Sequence, residues 1–309
     1  MKEMLYLFKA LTPTLVSFHL GTTVQEAKVV GYLSTNRPAP AAYLIVDQTP
    51  FHPVDPHWQD QPGDRGTIAW STKTWQIEDT HVIGVDLQQQ WFVHTDVKQS
   101  WQDPNMTYLV GHKLTSSAEL SEAELEALKG QTVTLSIDEA YRASVERPHS
   151  AVHLSSLLFN ELVQPYIGKA DKLRKDARGY ADFDKDCIVT STLQDYQSID
   201  TYRMGNSYRK KAGLNQVKLR EDLPGIIVSL NERLAAFIRS AGQATMSPDY
   251  PVALHERRFW KTEIDQKPIS IPCGGTHLRD LSSLESVEVR LQFASDREDS
   301  FDLITNVNK

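Results

Sequence analysis

Two short motifs, far apart in the chain, limit most strongly what it can fold into. His149-Ser150-Ala151-Val152-His153 sets two imidazoles at i and i+4, which a helix places on one face. Cys273-Gly274-Gly275-Thr276-His277 offers a thiolate and a third imidazole, with two glycines that allow a tight turn. Each motif alone is a weak signal, because a lone His-x-x-x-His is usually a surface pair. Together they make a donor set of three nitrogens and one sulfur, which favours Zn²⁺ over hard cations. A shared ion requires the fold to bring a helix and a glycine loop to one point. The same four ligands would also close a purely structural tetrahedral site.

The spacing excludes two common zinc chemistries. A zincin needs His-Glu-x-x-His with the Glu as base, and position 150 is Ser. A nucleobase deaminase needs Pro-Cys-x-x-Cys with His-x-Glu; Pro272-Cys273 is present, but Thr276 stands in place of the second Cys and no His-x-Glu occurs. Two cysteines in 309 residues, Cys187 and Cys273, argue against a disulfide framework and fit a reducing cytoplasm. No apolar run has the length of a membrane span, and Leu5–Leu20 is broken by Lys9, Pro13 and His19, so no membrane association or signal peptide is expected.

Net charge is −7, yet Lys169–Arg220 holds twelve Lys or Arg against seven Asp, a local +5 that leaves −12 elsewhere. A basic segment on an acidic body suits phosphate contact, and equally suits a solvated helical surface.

Strand signals dominate the first part. Ala42–Val46 follows a Pro-rich turn at Arg37–Pro40, and His81–Leu87, Trp91–His94 and Gln131–Ile137 have strand character, the last by alternation of Val133, Leu135 and Ile137. Pro56–Gly66 is a loop. A helix opens on the capping box Ser121–Glu124 and stops at Gly130. The pattern predicts a small barrel. Near Arg142 the character changes. A helix is expected from Pro148 to about Gln164 and another from Pro224 to Gly242, followed by strands at Arg257–Ile264, Pro268–Pro272 and Ser286–Phe293. The class is α+β, with a β-barrel-like N-terminal domain at 1–143 and an α+β domain with an antiparallel sheet at 144–309.

At HSAVH and PCGGTHL the chain resembles the second additional domain of alanyl- and threonyl-tRNA synthetases, and most closely the free-standing AlaX editing proteins. Asp47–Pro53, Gln61–Ile68, Gly130–Val133 with Ile137-Asp138 and Arg142, Leu230–Glu232 and Arg257–Ile264 are similar to the family in the same order. The resemblance implies a zinc-bearing editing domain that hydrolyses serine, or glycine, from the alanine-specific tRNA in trans. It assigns zinc to His149, His153, Cys273 and His277. Ser150 and Thr276, beside those ligands, are candidates to hold the seryl hydroxyl or the attacking water, against the plainer role of supporting hydrogen bonds. Candidate tRNA contacts are Arg203, Arg209, Lys210, Lys211, Arg257 and Arg258, with Tyr196, Tyr202 and Tyr208 as stacking platforms or as packing for their segment. Two departures stand out. Val54–Asp60 lacks the family's Gly-Gly-Gly run, in a stretch the resemblance places near the amino-acid pocket. Residues 187–220 read as an insertion. The alternatives are a zinc-stabilised RNA-binding protein without editing activity, and a hydrolase of another aminoacyl ester. Oligomeric state is not legible.

Overall fold

The computed structural model describes residues 4–36, 40–115 and 120–308; positions 37–39 of the Pro-rich turn lie outside them. The chain folds as two compact units. One gathers the described part of Met1–Arg142 with Met246–Arg258 and Gly274–Thr276; the other holds Ala143–Thr245, Phe259–Cys273 and the described part of His277–Lys309.

The first unit contains an eight-stranded antiparallel sheet and a small three-stranded one. The order of the larger is Met4–Leu7, Val24–Thr35, Thr132–Ile137, Gly66–Trp70, Lys73–Asp86, Met106–Leu114, Ala41–Val46, with Trp91–Val93 alongside Lys73–Asp86. Val24–Thr35 also pairs with Ala41–Val46, so the last strand of the path returns to its second. Alternation explains the packing: Ala42, Leu44 and Val46 enter one apolar cluster with Val133, Leu135 and Ile137, while Ala41, Tyr43 and Ile45 enter another. A register shift between Val29 and Gly31 changes the parity, so Ala27 and Val29 share a cluster with Tyr32. Helix α1 (Glu122–Leu128) realises the Ser121–Glu124 capping box and packs Leu125 and Leu128 into that first cluster. Arg142 and Asp64, both buried, form an ion pair whose guanidinium also donates to the carbonyls of Thr22 and Pro50.

Helix α2 (Glu139–Val163) begins nine residues before Pro148, which therefore lies inside it and does not open it. Asp138 caps it, accepting from the Tyr141 N–H at 3.0 Å. Pro148 cannot donate to the Ser144 carbonyl. The backbone N–H of Tyr196 does so instead, at 2.8 Å. In the same way α5 runs from Gln216 through Pro224 to Ala241, because Asn215 caps it and Leu219 and Leu223 extend its buried stripe ahead of the proline. Two shorter helices, α3 (Phe183–Cys187) and α4 (Asn206–Ala212), precede it.

The second unit's main sheet is antiparallel, in the order Ile188–Gln194, Gln197–Arg203, Ser300–Val307, Val287–Phe293. The stretch read as an insertion therefore supplies two of its four strands. They are joined by Asp195 and Tyr196, both at positive φ (46° and 63°), as a two-residue hairpin of right-handed twist requires. A second hairpin, Phe259–Ile264 with Lys267–Pro272, turns on Asp265 and Gln266 at φ 51° and 61°. The Asn231 amide of α5 bonds both the N–H and the carbonyl of Val289. Among the described residues no helix is long and apolar enough to cross a membrane.

His112 is buried within the first unit, 2.8 Å from the Thr49 hydroxyl and 3.0 Å from the Leu44 carbonyl. Those partners suit a neutral ring that donates from Nδ1 and accepts at Nε2. Burial pushes its pKa down from 6.5 to about 4, against the pull of the Leu44 carbonyl. Protonation then favours the unfolded chain, so stability is complete above pH 6.5 and falls as pH drops toward about 4. Urea unfolding over that window is expected to show a loss of up to about 1.4 kcal/mol per pH unit from this residue. The slope should be flatter in His112→Gln.

Candidate metal centre

Helix α2 carries His149 and His153 on one face, and the Phe259–Pro272 hairpin delivers Cys273 immediately after its last strand residue. His277 follows four residues later. The structure brings these four together: one ligand atom from each lies within 4.8 Å of every other. The Cys273 Sγ is 3.4 Å from His149 Nε2 and 3.2 Å from His277 Nε2. Zinc bonded at its usual lengths in a tetrahedron separates nitrogen and sulfur donors by about 3.5 Å. The residues present therefore fit a single zinc ion by donor type and by spacing. His149 is buried and the other three are half-buried.

The surroundings hold the donors in place. The imidazole of His277 lies 4.1 Å from that of His149 and 4.8 Å from that of His153, between ring centres. The fully buried Trp260 ring flanks His153 at 5.2 Å. Ser150 is fully buried; its hydroxyl accepts from the Leu278 N–H at 2.9 Å and lies 3.5 Å from His277 Nδ1. It thus touches the ring nitrogen that does not face the sulfur. Asp184 was not singled out from sequence, since it lies in neither motif. Its carboxyl is raised mainly by burial, while the Tyr202 hydroxyl and, more weakly, His153 pull it down.

Thr276 lies in the first unit and is buried there. The Gln61 side chain clamps it, donating to its hydroxyl at 2.7 Å and accepting its backbone N–H at 2.9 Å. Gln61 sits in the Gln-Pro-Gly motif, but nothing in the sequence pairs it with Thr276. The two glycines before Thr276 do not use a left-handed torsion. Gly274 is small for a different reason: a Cβ there would lie 3.3 Å from the Arg258 guanidinium. The glycine-free stretch Val54–Asp60 contains no positive φ. Asp55 accepts from the N–H groups of His57 and Trp58, and His57 packs edge-on against Trp101.

The expected tRNA contacts fall into two groups. Arg203 pairs with Asp299, Arg209 bonds Asn206 and Gln216, and Arg258 donates to the carbonyls of Leu254 and Glu256. Lys210, Lys211 and Arg257 are exposed. Tyr202 is no stacking platform: it is buried, with its ring against Phe301 and Phe183. Tyr208 meets Phe183 edge-on and the Tyr196 backbone N–H bonds the Ser144 carbonyl within α2, so these tyrosines pack their segment.

Over 165 residues, 52% of this chain, the sequence is 27% identical to alanine–tRNA ligase of Corynebacterium jeikeium. The match spans 15% of that ligase's length. No protein-family model matches the chain. The chain is therefore similar, over about half its length, to a small part of an alanine–tRNA ligase.

Metal titration of the purified chain is expected to give one zinc per chain. Replacing any one of His149, His153 or His277 by Ala, or Cys273 by Ser, should weaken zinc more than the roughly 10–100-fold typical of losing a supporting residue. Ser150→Ala should fall inside that range, by competition against a chromophoric chelator.

Proposed function

We propose that the chain is a zinc-dependent hydrolase acting in trans on mischarged tRNA, cleaving the ester that joins serine, or glycine, to the alanine-specific tRNA. The convergence of His149, His153, Cys273 and His277 supports this reading, in a chain similar to part of an alanine–tRNA ligase. The second unit is then the editing domain.

When bound, zinc would supply a Lewis acid, and with four protein donors it would act on an ester or a water by expanding to a fifth position. The protein's own groups do the rest. His149 and His153 are pre-aligned by α2, and Ser150 fixes the ring of His277 from behind, as a positioning residue. Thr276, in the first unit, accepts from Gln61, which orients its hydroxyl there. A site that bonds the seryl hydroxyl discriminates strongly against alanine, which lacks it. Zinc chemistry of this kind needs no ATP. A second reading, a zinc-stabilised RNA-binding protein without hydrolytic activity, is favoured by the side chains that fill Val54–Asp60.

The test is release of serine from alanine tRNA charged with serine, with the alanyl form as control. Rapid serine release that spares alanine and disappears in His149→Ala is expected. A folded, zinc-loaded chain that releases no serine moves the assignment to another aminoacyl ester or to the binding-only reading.

A further inference from the structure

Residues 166–169 and 212–215 are more than forty positions apart, yet they run antiparallel as a short ladder. The Asn215 N–H bonds the Tyr166 carbonyl at 3.0 Å, Ile167 bridges Leu214, Gly168 N–H meets the Gly213 carbonyl at 3.2 Å, and Lys169 N–H meets the Ala212 carbonyl at 2.9 Å. The ladder sets the C-terminal end of α4 against the turn Ala170–Lys172. It thereby gathers Lys169 and Lys172 beside Lys210 and Lys211, all four exposed. The Lys169 ammonium reaches the Lys210 carbonyl at 3.4 Å, which ties the two segments and leaves further N–H donors outward.

Among the described residues, six of the second unit's arginines are compensated by carboxylates, and these four lysines are not. Arg174, Arg178, Arg203, Arg233, Arg290 and Arg297 each pair with a carboxylate. None of the four ammonium groups makes an ion pair among the described residues, and Asp171 is the acidic side chain within the Ala170–Lys172 turn. Uncompensated cations clustered on a chain of net −7 form an attractive face for a polyanion, and flexible ammonium groups suit phosphates rather than base edges.

We propose that Lys169, Lys172, Lys210 and Lys211 form the face on which the phosphate backbone of a structured RNA docks. The proposal rests on the tRNA reading above and moves the contact from Arg203, which pairs with Asp299, to the lysine cluster. Lys169 and Lys172 enter only through the ladder, which sequence does not display.

The experiment measures binding of an uncharged alanine tRNA transcript to the full chain by fluorescence anisotropy across a salt series. Lys169→Glu with Lys172→Glu forms one variant and Lys210→Glu with Lys211→Glu another. Lys261→Glu with Lys267→Glu, on the separate hairpin, is the equal-charge control, and circular dichroism checks folding. Each cluster variant should bind on the order of ten-fold or more weakly, and the slope of log K against log [salt] should fall by about 1.5, two lost phosphate contacts at roughly 0.7–0.9 each. Replacing all four cluster lysines by Arg should keep binding. Equal weakening by the control pair, no weakening by either cluster pair, or no binding by the unaltered chain at low salt overturns the proposal. Tight, cluster-dependent binding without serine release overturns the deacylase reading and leaves the docking face standing.

Discussion

Three imidazoles and a thiol held within 4.8 Å of one another are the tightest chemical constraint in the second unit. One donor atom of each lies close to the other three, and such a cluster is stable when a cation or protons satisfy it. The neighbouring structure is arranged around that convergence. A helix fixes two donors, a hairpin fixes the third, and buried Ser150 and Trp260 hold the rings.

The helix that carries two of the candidate ligands contains a proline one residue before the first. In isolation Pro148 would cost α2 a hydrogen bond at the Ser144 carbonyl. The Tyr196 N–H fills that gap, from a hairpin tip whose two residues both adopt positive φ. Residues 188–203 are thus tied twice: by their strands to Ser300–Val307, and by their turn to the ligand-bearing helix. A segment with no counterpart in the resemblance is part of what holds the donors.

The sequence showed the site more clearly than the fold that builds it. All four donors were legible because i, i+4 spacing and a Cys-x-x-x-His loop are local patterns with direct chemical meaning. The Ser121–Glu124 cap and the alternation of Val133, Leu135 and Ile137 were legible for the same reason. Both long helices were placed too late, since a proline reads as a start and the partner that tolerates Pro148 lies far along the chain. The Gln61–Thr276 clamp, the setting of Asp184 and the 166–169 to 212–215 ladder depend on contacts between distant residues. The burial of Tyr202 is similar: exposed and buried tyrosines share one letter, and Phe183 and Phe301 decide which it is.

The spacing of the four side chains implies a single zinc ion held within one chain. X-ray absorption at the zinc edge of the loaded protein tests it most directly. One sulfur at about 2.3 Å and imidazole nitrogens at about 2.0–2.1 Å are expected, with the sulfur shell lost in Cys273→Ser. A zinc shell of oxygens alone, or one with two sulfurs, would contradict it.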